Sequence, residues 1–164
     1  MCSSDLRVLL DAENYSKWYW EVMDSKLLKQ ASPTEYYIYL THRAPVGQPD
    51  RDVILHAVVE PQTSQNGVLM VKVRSAPDFI AQKPKFIRMP AEDMSIRLTP
   101  MPDNKILLEA EGYVDPGGTI PNWAINFVQR SAPYSIVLGL QRMMNKSEYA
   151  RSNASLPFPV LGKR

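Results

Sequence analysis

Cysteine is nearly absent from this chain: Cys2 is the one thiol, so no internal disulfide can form. Long apolar runs are missing too. No stretch of eighteen apolar residues marks a membrane-spanning helix, and no charged start followed by an apolar core marks a signal peptide. Neither sign of charge is in excess, since 19 basic and 17 acidic residues leave a net charge of +2. The basic residues are scattered, with no cluster of five or more, which argues against a nucleic-acid partner. Glycine is scarce at seven residues against fourteen prolines. The prolines fall between apolar runs, where they delimit strands and loops instead of building a polyproline segment. What remains is an ordinary globular composition, 45% hydrophobic and 22% charged. A single domain of this length buries roughly 68–70% of its unfolded surface.

The first six residues, Met1-Cys2-Ser3-Ser4-Asp5-Leu6, match the translation of the constant end of a common sequencing adapter. They are expected to be non-native, with the gene beginning upstream. A lipoprotein start, with Cys followed by small polar residues, is the rival reading, and no apolar segment supports it. Redox compartment is then unreadable, and the chain could serve in cytoplasm or periplasm.

Alternating apolar residues predict six strands: 26–31, 35–44, 51–60, 67–75, 92–100 and 105–114. Short turns join most of them, as in an antiparallel meander. The exception is 76–90, where Pro77, Pro84 and Pro90 alternate with Phe79, Ile80, Phe86 and Ile87. A partly apolar loop of that length is expected to fold over something, as lids and Ω-loops do. Leu6–Leu10 reads as the tail of a helix, and the aromatics Tyr15, Trp18, Tyr19 and Trp20 as core and rim packing.

After Val114 comes a tight turn, Asp115-Pro116-Gly117-Gly118, and then Thr119 and Pro121 announce a helix running to about Met144. That helix is apolar on more than one side and needs a broad partner, which only the strands can supply. Ile125, Val128, Ala132, Ile136, Gly139 or Leu140, and Met143 recur at three- and four-residue steps. Small members of that stripe leave room, to be filled from the sheet or left as a cavity.

Catalytic equipment is thin. His42 and His56 are the only histidines, too few for a zinc site, and neither accompanies a nucleophile-elbow pattern. Glu109 and Glu111 share one strand face but read as solvated. Asp115-Pro116-Gly117-Gly118 lacks the Gly-Lys-Ser/Thr of a phosphate loop. Arg51 and Asp52, as strand neighbours, point to opposite faces, with Arg51 expected to bond a carbonyl or carboxylate near the loops. No catalytic residue, metal or cofactor is expected.

Trp18 after a helix end, the Arg51-Asp52 pair opening a strand, and Asp115-Pro116-Gly117-Gly118-Thr119-Ile120-Pro121 leading into the last helix, with Asn126 and Pro133 within it, resemble one family. These stretches are similar to the START lipid-transfer domains (steroidogenic acute regulatory protein related) of the Bet v 1-like, or SRPBCC, superfamily. The resemblance implies an α+β helix-grip fold, a curved antiparallel sheet wrapped around a long C-terminal helix. It implies a tunnel for a lipid or sterol-like molecule, a lid in the loop before the helix, and passing contact with membranes. Family members begin with a further helix and strand, so the resemblance implies truncation, an open sheet edge and poor solubility. The family's buried Arg–acid pair is not carried over, because Ala57 stands at the Arg position.

Expected lining residues are Leu55, Ala57, Leu69 and Val71 on one strand face and Val128, Ala132 and Ile136 on the helix stripe. The expected division is residues 1–6 non-native, 7–145 lipid-binding domain and 146–164 mobile tail. Two alternatives remain open: an aromatase/cyclase of the same superfamily, signalled by Tyr36–Tyr39 or His56 in the pocket, and a filled-cavity protein-binding module.

Overall fold

The computed structural model of the chain describes residues 4–103, 105–152 and 154–161. Residues 1–3, half of the segment expected to be non-native, lie outside them, as do Asn104 of the expected Met101–Asn104 turn and Asn153 of the expected tail. Ser4–Leu10 forms helix α1, and Ala12–Lys17 a 3-10 turn. The sheet follows: β1 Val22–Ser32, β2 Glu35–His42, β3 Arg51–Glu60, β4 Leu69–Ser75, β5 Ile87–Arg88, β6 Ala91–Pro100 and β7 Ile106–Asp115. Helix α2 spans Asn122–Met144 and α3 Ser147–Ala150.

The long strands pair in the order β1-β2-β3-β4-β6-β7, each antiparallel to its neighbour. Two-residue β5 adds to β3 in parallel. With α2 across its inner face, this is the α+β helix-grip arrangement, a curved sheet around a long C-terminal helix. Strand β1 is longer than its alternation predicts, because three register irregularities break the period-2 pattern along it.

Strand β3 is buried on both faces. Val53, Leu55, Ala57 and Val59 face inward, while Ile54 is fully enclosed on the other side. The cover over Ile54 is the 76–90 segment, anchored by Ala76 N–H to Ile54 O and Met89 N–H to Asp52 O. This segment is therefore not a lid over the interior. Phe79 stacks on Tyr37 at 4.0 Å, Tyr37 stacks on His56 at 4.5 Å, and Lys83 Nζ stands 4.0 Å over the Tyr39 ring. Asp52, fully buried, holds it in place through Arg88 Nε at 2.9 Å and Nη2 at 3.0 Å, and also accepts the Tyr39 hydroxyl. Arg88 in turn reaches the carbonyls of Pro77, Ile80 and Ala81. The apolar loop residues satisfied the outer face of a doubly covered strand, a need that alternation alone does not announce.

Helix α2 is covered mainly along its second half. Gly139, Leu140 and Met143 are buried there; in the first turns Ala124 is buried, but Trp123, Ile125 and Phe127 are exposed. Among the described residues of 146–164, the segment expected to be a mobile tail, Tyr149 and Phe158 are buried with the core residues. Tyr149 Oη donates to Asp11 at 2.7 Å, and Leu161 N–H to Gln62 at 3.0 Å. Aromatic side chains at 149 and 158 give this segment an apolar footing, since each buried one removes a large area from water.

Candidate ligand-binding cavity

Between the inner sheet face and α2 lies a cavity of about 530 Å³. Strand alternation turns Leu55 and Ala57 of β3 and Val71 of β4 into it, and the helical step brings Ala132 and Ile136 opposite them. These five sequence-expected residues meet on one space. Leu69 and Val128 do not join them. Leu69 shares the face of Val71 but sits beyond the cavity, fully buried against its partner Leu98. Val128 lies one turn before Ala132, half-buried, on the part of α2 that passes the cavity.

The wall that sequence reading missed is largely aromatic. Tyr15, Trp18 and Tyr19 close the space from the 3-10 turn and the residues just after it, with Met94 and Ile96 from β6; Tyr36 of β2, named from sequence for the alternative reading, joins them. Trp18 meets both tyrosines edge-on, at 5.4 and 5.5 Å between ring centroids. The signal was the aromatic density of 15–20, read as packing; here packing and lining are the same role.

The tyrosine hydroxyls of the wall are already engaged. The Tyr15 hydroxyl donates to Leu9 O and the Tyr36 hydroxyl to Pro33 O. Tyr19 donates to Glu92 Oε1 at 2.9 Å, and His42 Nε2 stands 3.2 Å from Glu92 Oε2. That last contact is an ion pair whose angles miss hydrogen-bond geometry, so both atoms count as buried without a hydrogen-bond partner. Burial alone pushes the His42 imidazole down, but the adjacent carboxylate outweighs it and raises it above its ordinary value. Burial pushes Glu92 up, and His42 and the Tyr19 hydroxyl pull it below the usual carboxylate value. Tyr19 is raised, first by burial and then by Glu92.

Arg51, opposite His42 in register, is buried and serves the loops as expected. Its Nε reaches Pro116 O at 3.4 Å, Nη2 reaches Gly117 O at 3.5 Å, and Nη1 bonds Pro49 O. It thereby ties the β2–β3 loop to the turn before α2. Gly117 takes φ +65°, and a Cβ there would lie 3.0 Å from Pro90 Cδ and 3.1 Å from Arg88 O, which explains a glycine at that corner.

The cavity opens sideways. On one rim stands β7, the last strand of the sheet, with Gly112 and Val114 exposed; on the other stand Pro133 and Val137 of α2. Of the residues that would signal cyclase chemistry, Tyr37, Tyr39 and His56 lie on the outer face, and only Tyr36 reaches the cavity. Glu109 and Glu111 are exposed on β7. Among the described residues no three potential ligands converge on a metal site, and no helix is long and apolar enough to cross a membrane. A hollow of about 550 Å³ between Arg7 and residues 154–160 is an open surface depression, without the enclosing layers of the first.

No family model matches the chain. It is 26% identical over 136 residues to an uncharacterised protein of Pseudomonas aeruginosa, a match covering 83% of this chain and 66% of that protein, just under two thirds of its length. Among solved structures, the STAR-related lipid transfer protein of Xanthomonas axonopodis superposes with a TM-score of 0.77 at 28% identity, over 88% of this chain and 80% of that one. Human STARD10 gives 0.75 at 19% identity, over 92% and 61%. The human StarD13 lipid transfer and protein localization domain gives 0.62 at 14%, over 90% and 70%.

Proposed function

The chain has a START-like helix-grip fold, and from that premise we propose that it holds one lipid or other hydrophobic small molecule between sheet and α2, as a carrier or sensor and not as an enzyme. One observation carries the reading: the side chains expected to line a pocket, Leu55, Ala57, Val71, Ala132 and Ile136, surround one apolar space of about 530 Å³. Its size is that of an ordinary small-molecule site. Transfer of hydrocarbon from water is the driving term, about 0.8 kcal/mol per methylene. Exposed Trp123 and Phe127 on α2 fit a passing contact with a membrane surface. The 28% identical Xanthomonas neighbour is described as a lipid transfer protein, which supports the same reading.

The cyclase alternative finds no support, since the Tyr36 hydroxyl is committed to Pro33 O and the other signalled rings face away. An open interior speaks against a filled-cavity module. The test is native mass spectrometry of protein purified from cells, against its denatured mass. An extra mass that extracts into organic solvent is the expected result. No adduct, together with no binding of fluorescent fatty acids or sterols, would overturn the reading.

A further inference from the structure

Resting on that cavity reading, we propose that the ligand is a single-chain amphiphile, and that its polar end stays in the slot between β7 and α2 while only hydrocarbon is enclosed. Size is the first argument. A water- or methylene-sized group occupies about 30 Å³, so about 530 Å³ holds roughly eighteen of them. That is one acyl chain; a two-chain lipid does not fit.

The chemistry of the wall is the second argument. Enclosed hydrocarbon needs no hydrogen bonds, whereas an enclosed polar head needs partners. The hydroxyl protons of Tyr15, Tyr19 and Tyr36 are already given to Leu9 O, Glu92 and Pro33 O. Trp18 Nε1 has no hydrogen-bond partner, but it has essentially no accessible surface and so is not presented to the cavity. The Glu92–His42 pair is satisfied as an ion pair behind Tyr19. The interior therefore has no donor ready for a head group.

The slot differs. As the end strand, β7 turns alternate main-chain N–H and C=O groups away from β6 and toward the opening. A hydroxyl, an ester or a carboxylate can bond such groups; a quaternary ammonium cannot, and keeps its water there beside the exposed carboxylate of Glu111 on the same rim. Every head stays hydrated in the open slot, where a single exposed charge counts for little, so chain length, not head group, sets most of the affinity.

The experiment uses the full 164-residue chain stripped of bound lipid, with displacement of a fluorescent fatty acid as the readout. Probes are n-alkanols of ten to twenty carbons, hexadecyl trimethylammonium and hexadecanoate beside hexadecanol, and vesicles of dioleoyl phosphatidylcholine. Affinity is expected to rise about fourfold per methylene and to level off near eighteen carbons. The three sixteen-carbon probes are expected to agree within about threefold, and the vesicles to donate no lipid to the protein. Extraction of phosphatidylcholine one to one, or a tenfold preference among heads, would overturn the inference while leaving the cavity reading intact. No displacement by any probe, and no binding of the fluorescent fatty acid itself, would overturn both.

Discussion

The carbonyl oxygen of Trp18 occupies the place where a side chain at position 139 would begin: a Cβ on Gly139 would lie 2.2 Å from it. Helix α2 comes this close to the aromatic turn only because position 139 has no side chain. Gly139→Ala pits two effects against each other. Alanine favours a helix interior by about 1 kcal/mol, whereas forcing a methyl against main chain costs about 1–3 kcal/mol. Main chain cannot rotate away as a flexible side chain does, so the second effect wins. Thermal unfolding followed by circular dichroism should show a midpoint several degrees lower; an unchanged or higher midpoint would contradict this contact.

Ala132 shows the opposite use of a small residue. It faces the cavity, not another backbone. Ala132→Phe is expected to fill much of the space, abolish fatty-acid binding and leave the unfolding midpoint within a few degrees of the parent. Retained binding at parental affinity would mean that the ligand lies elsewhere.

These two positions show how far sequence reading reached. The helix stripe contained both small residues, and period alone allowed either outcome for each: Gly139 is filled by Trp18, and Ala132 borders empty space. Strand order and the α+β class were legible because alternation and turn prolines are local signals. β3 matched residue for residue, since both its ends carry charge. Leu69 lies on the face of Val71 but beyond the cavity, because alternation gives the face of a strand and not the position along it where a cavity ends. The 76–90 loop folds over something, as its apolar residues announce, but they do not say which face it covers. Tyr15, Trp18 and Tyr19 were seen as aromatic packing, and only the fold revealed what they pack around.

Asp52 tests the outer-face assignment of that loop. It is fully buried and paired with Arg88, which itself ties three loop carbonyls. Removing one member of a buried pair typically costs about 3–5 kcal/mol. Asp52→Ala should lower stability by that order in chemical denaturation and make 76–90 sensitive to limited proteolysis, with fatty-acid affinity unchanged in the folded fraction. Loss of affinity without loss of stability would instead place the loop in the binding machinery.

The His42–Glu92 pair makes stability depend on pH at both ends. Glu92 is held below its ordinary value in the folded protein, so its contribution is present above that ordinary value and fades as pH falls through the lowered one. His42 is raised above its ordinary 6.5, so its contribution is full below 6.5 and fades as pH rises through the raised value. Tyr19 stays a neutral phenol throughout, because burial and Glu92 both raise it. Both charges therefore support the fold best in the mildly acidic window between the two ordinary values, 4.5 for Glu92 and 6.5 for His42, and less on either side of it. His42→Ala leaves Glu92 buried without its cation, and near pH 6 the loss should be about 3 kcal/mol, the lower end for a broken buried pair because His42 retains some exposure. Above the raised His42 value the parent has lost the same charge, so the gap between parent and variant should shrink. Urea unfolding of both proteins from pH 5.5 to 9 measures that gap directly, and a gap that stays constant across the range would show that the imidazolium does not stabilise Glu92.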